Sequence, residues 1–227
     1  MATEKCKYCG SMLLSTGACS NVFCPGMGLT PLNIKATSDS ISLTDLERVK
    51  YDWMELKYVK EQTPEICLTA VQQNGLALQL VKEQTSDICL VAVRKNGCAL
   101  QYVKDQTPEI CLAAVEQNEL SLLCVKDQTP EICLAAVQKN PYVLEYVRNQ
   151  TPEICLEAVR RCGRALAYVR EQTPEICMEA VQQDSEALNY VEEQTPEICL
   201  IAVQQNPEVI KYVSRELFIE VFSNRLA

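Results

Sequence analysis

Histidine does not occur in this chain of 227 residues. Its absence removes Ser-His-Asp and Cys-His nucleophiles, so a metal site would have to rely on thiolates or carboxylates. Aromatic side chains are scarce, with three Phe and one Trp, so the core must be mostly aliphatic. No apolar run approaches the ~20 residues that a membrane-spanning helix needs. The opening Met-Ala-Thr-Glu-Lys-Cys lacks the basic-then-apolar pattern of a secretory leader. The expectation is a soluble protein of a reducing, intracellular compartment. No paired carboxylates suggest acid–base catalysis, and a non-enzymatic protein is expected.

Positive charge is short as well. The net charge is −9. Residues 1–58 hold six basic and six acidic side chains, while 59–227 hold 15 basic and 24 acidic ones. A surface of that sign repels phosphate backbones, which disfavours general nucleic-acid binding by residues 59–227.

What the chain has in abundance is one phrase. Val125 to Tyr146 reads VKDQTPEICLAAVQKNPYVLEY, and its 22-residue pattern also opens at Val59, Val81, Val103, Val147, Val169 and Val191. An eighth copy starts at Val213 and diverges. A short fixed period is the mark of a stacked array in which each unit hides its apolar face against the next. In the unit from Val125, Thr129 is a candidate N-cap, Pro130 fits the first helical position, and Glu131 suits the positive end of the helix dipole. The first helix is expected to run to about Lys139, with Asn140 ending it and capping a second helix from Pro141 to about Asn149. Ile132, Cys133, Ala136 and Val137 give the first helix an apolar stripe, which Val143, Leu144 and Val147 continue. The fold class is therefore all-α: an α-solenoid of seven 22-residue helix-turn-helix repeats over 59–212. A capping box at Thr44 and Glu47 marks an entry helix within 41–58, read as a degenerate first unit. Residues 213–227 form a closing helix.

The start of the chain is different. Cys6-x2-Cys9-x9-Cys19-x4-Cys24, with Gly10 after the first pair, has the spacing of a thiolate knuckle. Four soft ligands and no histidine point to one structural Zn2+ held by Cys6, Cys9, Cys19 and Cys24 within residues 1–27. Two disulfides, or an iron centre, are the other readings of the same spacing. Residues 28–40 are polar and read as a linker. The segment resembles small zinc ribbons, which serve as protein or nucleic-acid docking modules.

Two columns recur in every unit. Cys67, Cys89, Cys111, Cys133, Cys155, Cys177 and Cys199 fall on the buried stripe and read as small core fillers, since one layer spacing exceeds disulfide reach. Cys98, Cys124 and Cys162 fall on the second helix or its turn, and Cys98 and Cys162 are candidate exposed thiols. A glutamine precedes each capping threonine, as Gln128 precedes Thr129, and can bond the backbone of the adjoining turn, tying layer to layer.

In such an array the positions that vary between copies select the partner. In this reading they are Tyr142, Glu157, Arg160, Arg161 and Arg164 and their counterparts. Arg148, Arg160, Arg161, Arg164 and Arg170 form a basic cluster in an acidic array. It could take a phosphate or an acidic partner helix. The alternative is that Glu157 pairs with Arg160 and Arg161 at i+3 and i+4.

The units, with Thr-Pro-Glu-Ile-Cys-Leu-Ala-Ala-Val-Gln-x-Asn as signature, resemble the helical-hairpin repeats catalogued as domain of unknown function 4116, over residues 59–212. The resemblance implies a helical array, a viral or pathogen origin and no catalytic residues. The expected function is a scaffold that binds or inhibits a host or defence protein. The alternatives are a nucleic-acid adaptor working through Lys5, Lys7, Lys35 and the N-terminal module, and an acidic mimic of DNA. A protein partner is expected, and neither a membrane nor a small molecule is.

Overall fold

The computed structural model describes residues 44–222, with side chains as far as Ile219. The chain divides into two units, Met1–Leu43 and Thr44–Ala227, and the second is the one described here. The four cysteines of the expected zinc site, the linker at 28–40, and Lys5, Lys7 and Lys35 lie outside the described residues.

From Thr44 on, the described chain is helical. A short α-helix, Asp45–Tyr51, is followed by a 3-10 helix, Trp53–Tyr58. Seven full hairpins come next. Each pairs an α-helix of 10 residues with a 3-10 helix of six, as in Pro130–Lys139 with Pro141–Tyr146. The others are Pro64–Gln73 with Gly75–Leu80, Ser86–Lys95 with Gly97–Tyr102, and Pro108–Gln117 with Glu119–Cys124. After them come Pro152–Arg161 with Gly163–Tyr168, Pro174–Gln183 with Ser185–Tyr190, and Pro196–Gln205 with Pro207–Tyr212. The helix Arg215–Phe222 closes the array. No helix among the described residues is long and apolar enough to cross a membrane.

The caps set these boundaries. Thr129 accepts from the Ile132 amide at 3.4 Å, and the same bond recurs at every full hairpin, including Thr85, where Ser86 replaces the usual proline. Asn140 ends one helix and starts the next. Its own N–H donates to the Ala136 carbonyl at 2.9 Å, and its side chain accepts from the Tyr142 amide at 3.1 Å. The entry helix has the full capping box: the Thr44 hydroxyl accepts from the Glu47 amide at 3.3 Å, and Glu47 returns to the Thr44 amide at 2.8 Å. That entry piece is the last part of a hairpin, as its phase implied.

The second helix differs from the sequence expectation. It is a six-residue 3-10 helix ending at Tyr146, where a nine-residue α-helix to Asn149 was expected. Packing decides this. Counting the opening valine as position 1, position 20 and the next valine are buried together in every unit but the last, as in Leu78 and Val81. A spacing of three matches the 3-10 period. Val81 leaves the helix at φ −76, ψ 120, and its N–H closes on the Leu78 carbonyl at 3.1 Å.

The core is one column of aliphatic layers. Ile132, Ala136, Val137, Leu144 and Val147 are each at most 1% exposed, and the same set repeats in the neighbouring units. Burying an Ile or Leu side chain contributes about 1.5–3 kcal/mol, which short helices need because they are not stable alone. Each helix packs against its own partner and against its equivalents in adjacent units. The layers approach closely where position 17 is glycine. A Cβ on Gly163 would lie 2.3 Å from the Ala180 carbonyl oxygen of the next layer, so glycine there admits the neighbouring backbone.

Candidate interaction surface

The residues that repeat without change are consumed in joining layers. The glutamine at position 4 is the centre of this. Gln106 donates through Nε2 to the Leu100 carbonyl at 3.2 Å and to the Cys124 carbonyl, 18 residues on, at 2.9 Å. Its Oε1 accepts from the Lys126 amide at 2.9 Å and lies 3.8 Å from the Cys111 thiol. Every glutamine from Gln62 to Gln194 accepts from the position-2 amide of the following unit. The layer-tying role expected of this column is therefore present, and the ladder cysteines are its thiol donors. All seven are buried and free, and burial pushes each thiol up from its ordinary pKa.

Two further ties were not foreseen. The cation at position 2 reaches back 22 residues to the same position of the preceding layer. Lys104 Nζ donates to the Lys82 carbonyl at 2.7 Å, and Lys126 Nζ does the same to Lys104. In some units the side chain at position 15 caps the preceding helix, as where Lys139 Nζ donates to the Glu116 and Gln117 carbonyls at 2.6 and 2.9 Å. The signal for the first was present in the chain as a column running Lys82, Lys104, Lys126, Arg148, Arg170 before it breaks at Glu192.

These ties dissolve the expected arginine cluster into two sets. Arg148 and Arg170 belong to the position-2 column. Arg148 donates to the carbonyls of Lys126 at 2.6 Å and Val125 at 3.0 Å, and Arg170 donates to that of Arg148 at 2.9 Å. They border a cleft of about 180 Å³ with Gln150, Cys155 and Thr173, which none of Arg160, Arg161 and Arg164 lines. The second set pairs with carboxylates. Arg161 meets Glu157 at 2.7 Å, as i+4 spacing implied. Arg160 turns from Glu157, its expected partner, to Glu179 of the next layer at 3.2 Å. Arg164 meets Asp184 at 2.8 Å and Glu186 at 2.5 Å, and this pairing raises its pKa.

Tyr142 is 45% exposed. Its hydroxyl lies 3.2 Å from Cys162 Sγ, and its ring meets that of Tyr168 edge-on with centroids 6.0 Å apart. The thiol contact raises the Tyr142 pKa. Cys162 stands where other units have Asn or Asp, and its 3-10 helix is the one of the eight with no side-chain cap.

The remaining variable positions share one property. Position 14 holds Gln72, Arg94, Glu116, Gln138 and Arg160 in successive units, and position 21 holds Gln79, Gln101, Leu123, Glu145 and Ala167; all are exposed. Position 18, from Leu76 through Leu120 and Tyr142 to Arg164, is half-buried or exposed. Leu120 and Leu123 stand out as apolar side chains at 45% and 55% exposure. Among the described residues no three His, Cys, Asp or Glu side chains are grouped to hold a metal.

A regular stack of hairpins with an invariant interior and a varied exterior is a helical repeat array. The family described as Domain of unknown function (DUF4116) matches five overlapping windows, residues 63–107, 107–151, 129–173, 151–195 and 173–218, and the chain belongs to that family. Each window opens on a capping threonine and spans two hairpins. No curated protein and no solved structure matches the chain.

Proposed function

We propose that the array is a non-enzymatic scaffold that binds a protein through positions 14, 18 and 21. One observation carries this reading. The glutamine that ties each layer to the next is uniform at position 4, while positions 14, 18 and 21 differ from unit to unit and are half-buried or exposed. Exposed apolar side chains amid polar ones, as at Leu120, Leu123 and Tyr142, suit the buried centre of an interface. Each unit also exposes a carboxylate at position 7, such as Glu131, and all but the fifth, which has Asn149, expose another at position 3, such as Asp127; this favours a partner with a basic surface and disfavours nucleic acid.

The test is affinity purification with the full chain and with a variant carrying Leu120→Ser, Leu123→Ser and Tyr142→Ser. A protein retained by the first and lost by the second, at unchanged helicity, supports the scaffold reading. Equal retention by both moves the interface elsewhere and overturns it. For residues 1–27 the proposal is one structural zinc on Cys6, Cys9, Cys19 and Cys24. Elemental analysis should give one zinc per chain, lost in Cys6→Ser.

A further inference from the structure

Ten cysteines fall among the described residues, and they are of two kinds. The seven of the ladder are buried, with the thiol against its glutamine. Cys98, Cys124 and Cys162 are half-buried. The register of the array sets two of these three, Cys98 and Cys124, on facing sides of one layer boundary.

Position 18 of one unit lies against positions 16 and 22 of the next. Tyr142 shows both contacts, with Cys162 at 3.2 Å and with the Tyr168 ring at 6.0 Å. Arg164 repeats the first with Asp184 at 2.8 Å. In the second and third units the same register falls on Cys98 at position 18, Asn118 at position 16 and Cys124 at position 22. The first contact is again present: Asn118 Nδ2 donates to Cys98 Sγ at 3.6 Å. Asn118 also caps the 3-10 helix Glu119–Cys124 that carries the second thiol. Charge on Cys98 is felt at Cys124, whose thiol is pushed up first by burial and then by that neighbour.

We propose that Cys98 and Cys124 form a dithiol modification site, which a hydroperoxide converts to a disulfide clamping the second layer to the third. The Cys98 thiolate attacks the terminal peroxide oxygen, breaking the O–O bond and releasing an alcohol or water, and becomes a sulfenic acid. Cys124 then gives up its proton and attacks the Cys98 sulfur, and the S–O bond breaks to release water. The two thiols lose two electrons in all, and the peroxide takes them. Cys98 goes first because its sulfur already accepts the Asn118 amide hydrogen, whereas the Cys124 thiol is kept protonated by burial. The site is independent of the scaffold reading, since it needs no partner.

The experiment is peptide mapping of the full, folded chain after hydrogen peroxide, with free thiols then alkylated and the chain cut by trypsin. Cys98 lies in Asn96–Lys104 and Cys124 in Asp105–Lys126. The expected product is these two peptides joined, lighter than their sum by two hydrogens. Fragmentation should place the bond at Cys124 and not at Cys111. The joined species should vanish in Cys98→Ser and in Cys124→Ser, and form more slowly when oxidation is done in concentrated urea. Cys98 carried on to the sulfinic acid with Cys124 still alkylated would overturn the proposal. So would a bond to Cys111, or one found only between chains on a non-reducing gel.

Discussion

The carboxamide of Gln150 donates to the carbonyl oxygen of Tyr168, in the next layer, at 2.9 Å. The same nitrogen donates to the Leu144 carbonyl at 2.9 Å, and Oε1 accepts from the Arg170 amide at 2.9 Å. One side chain thus satisfies three backbone groups, at the ends of two successive hairpins and in the turn that follows the second. Gln150→Ala should cost about 2–3 kcal/mol, because partly buried backbone groups lose their partners. Gln150→Glu keeps the acceptor and loses both donors, setting a carboxylate against two carbonyls. It should be at least as harmful at neutral pH and recover in part as pH falls through the carboxylate range, about 4.3 and above. Urea denaturation followed by circular dichroism checks both.

The ladder cysteines give the array an alkaline weakness. Burial raises their folded-state pKa, as at Cys133 and Cys155. Below the thiol pKa of the unfolded chain, about 8.5, both states are protonated and stability is unaffected. Above it the unfolded chain gives up protons that the fold retains, so stability falls until the pH passes the raised folded values. Each thiol contributes up to about 1.4 kcal/mol per pH unit in that window. Urea midpoints measured from pH 7 to pH 11 should drop steeply. Cys133→Ala should start lower and fall less steeply; an unchanged slope would show that the thiols do not titrate in this way.

The cation column predicts a stabilising change. Lys82, Lys104, Lys126, Arg148 and Arg170 each donate to the backbone of the preceding layer, and Glu192 breaks the series because a carboxylate has no proton to give. Glu192→Lys should extend the column to the Arg170 carbonyl and raise stability by about 0.5 kcal/mol, a small gain because the site is exposed. Arg148→Lys should be nearly neutral, and Arg148→Ala should lose about 1 kcal/mol. A lower urea midpoint for Glu192→Lys would remove the column from the list of layer ties.

Much of the array was legible because the chain repeats itself. Period, caps and apolar phase placed the first helix of each unit within a residue, and the glutamine at each turn had a readable duty. The second helix was less so, since Val143, Leu144 and Val147 fit an α-helical stripe as well as a 3-10 line; only packing against the next layer selects the latter. The arginines misled for a related reason. Local spacing pairs Arg160 with Glu157, but the next layer offers Glu179 instead. Sequence proximity also gathered Arg148 and Arg170 with Arg160, Arg161 and Arg164, although the hairpin puts the two sets to different uses.

Cys162 is a natural test of how far local capping matters within a stack. It stands at φ −152, ψ 109, close to the φ −146, ψ 111 of the capping Asp184 and the φ −154, ψ 109 of the capping Asn96. The backbone is therefore already arranged for a cap, and only the side-chain acceptor is missing. Cys162→Asn should let Oδ1 accept from the Arg164 amide, as Asn140 does from Tyr142 at 3.1 Å, and should stabilise by about 0.5–1 kcal/mol. The Tyr142 hydroxyl exchanges a thiol partner for an amide, so its raised pKa should fall toward the ordinary tyrosine value. Thermal unfolding reads the first effect and ultraviolet titration of tyrosine the second. If the midpoint does not rise while the tyrosine titration shifts, the hairpin is held by its layers and the cap adds nothing.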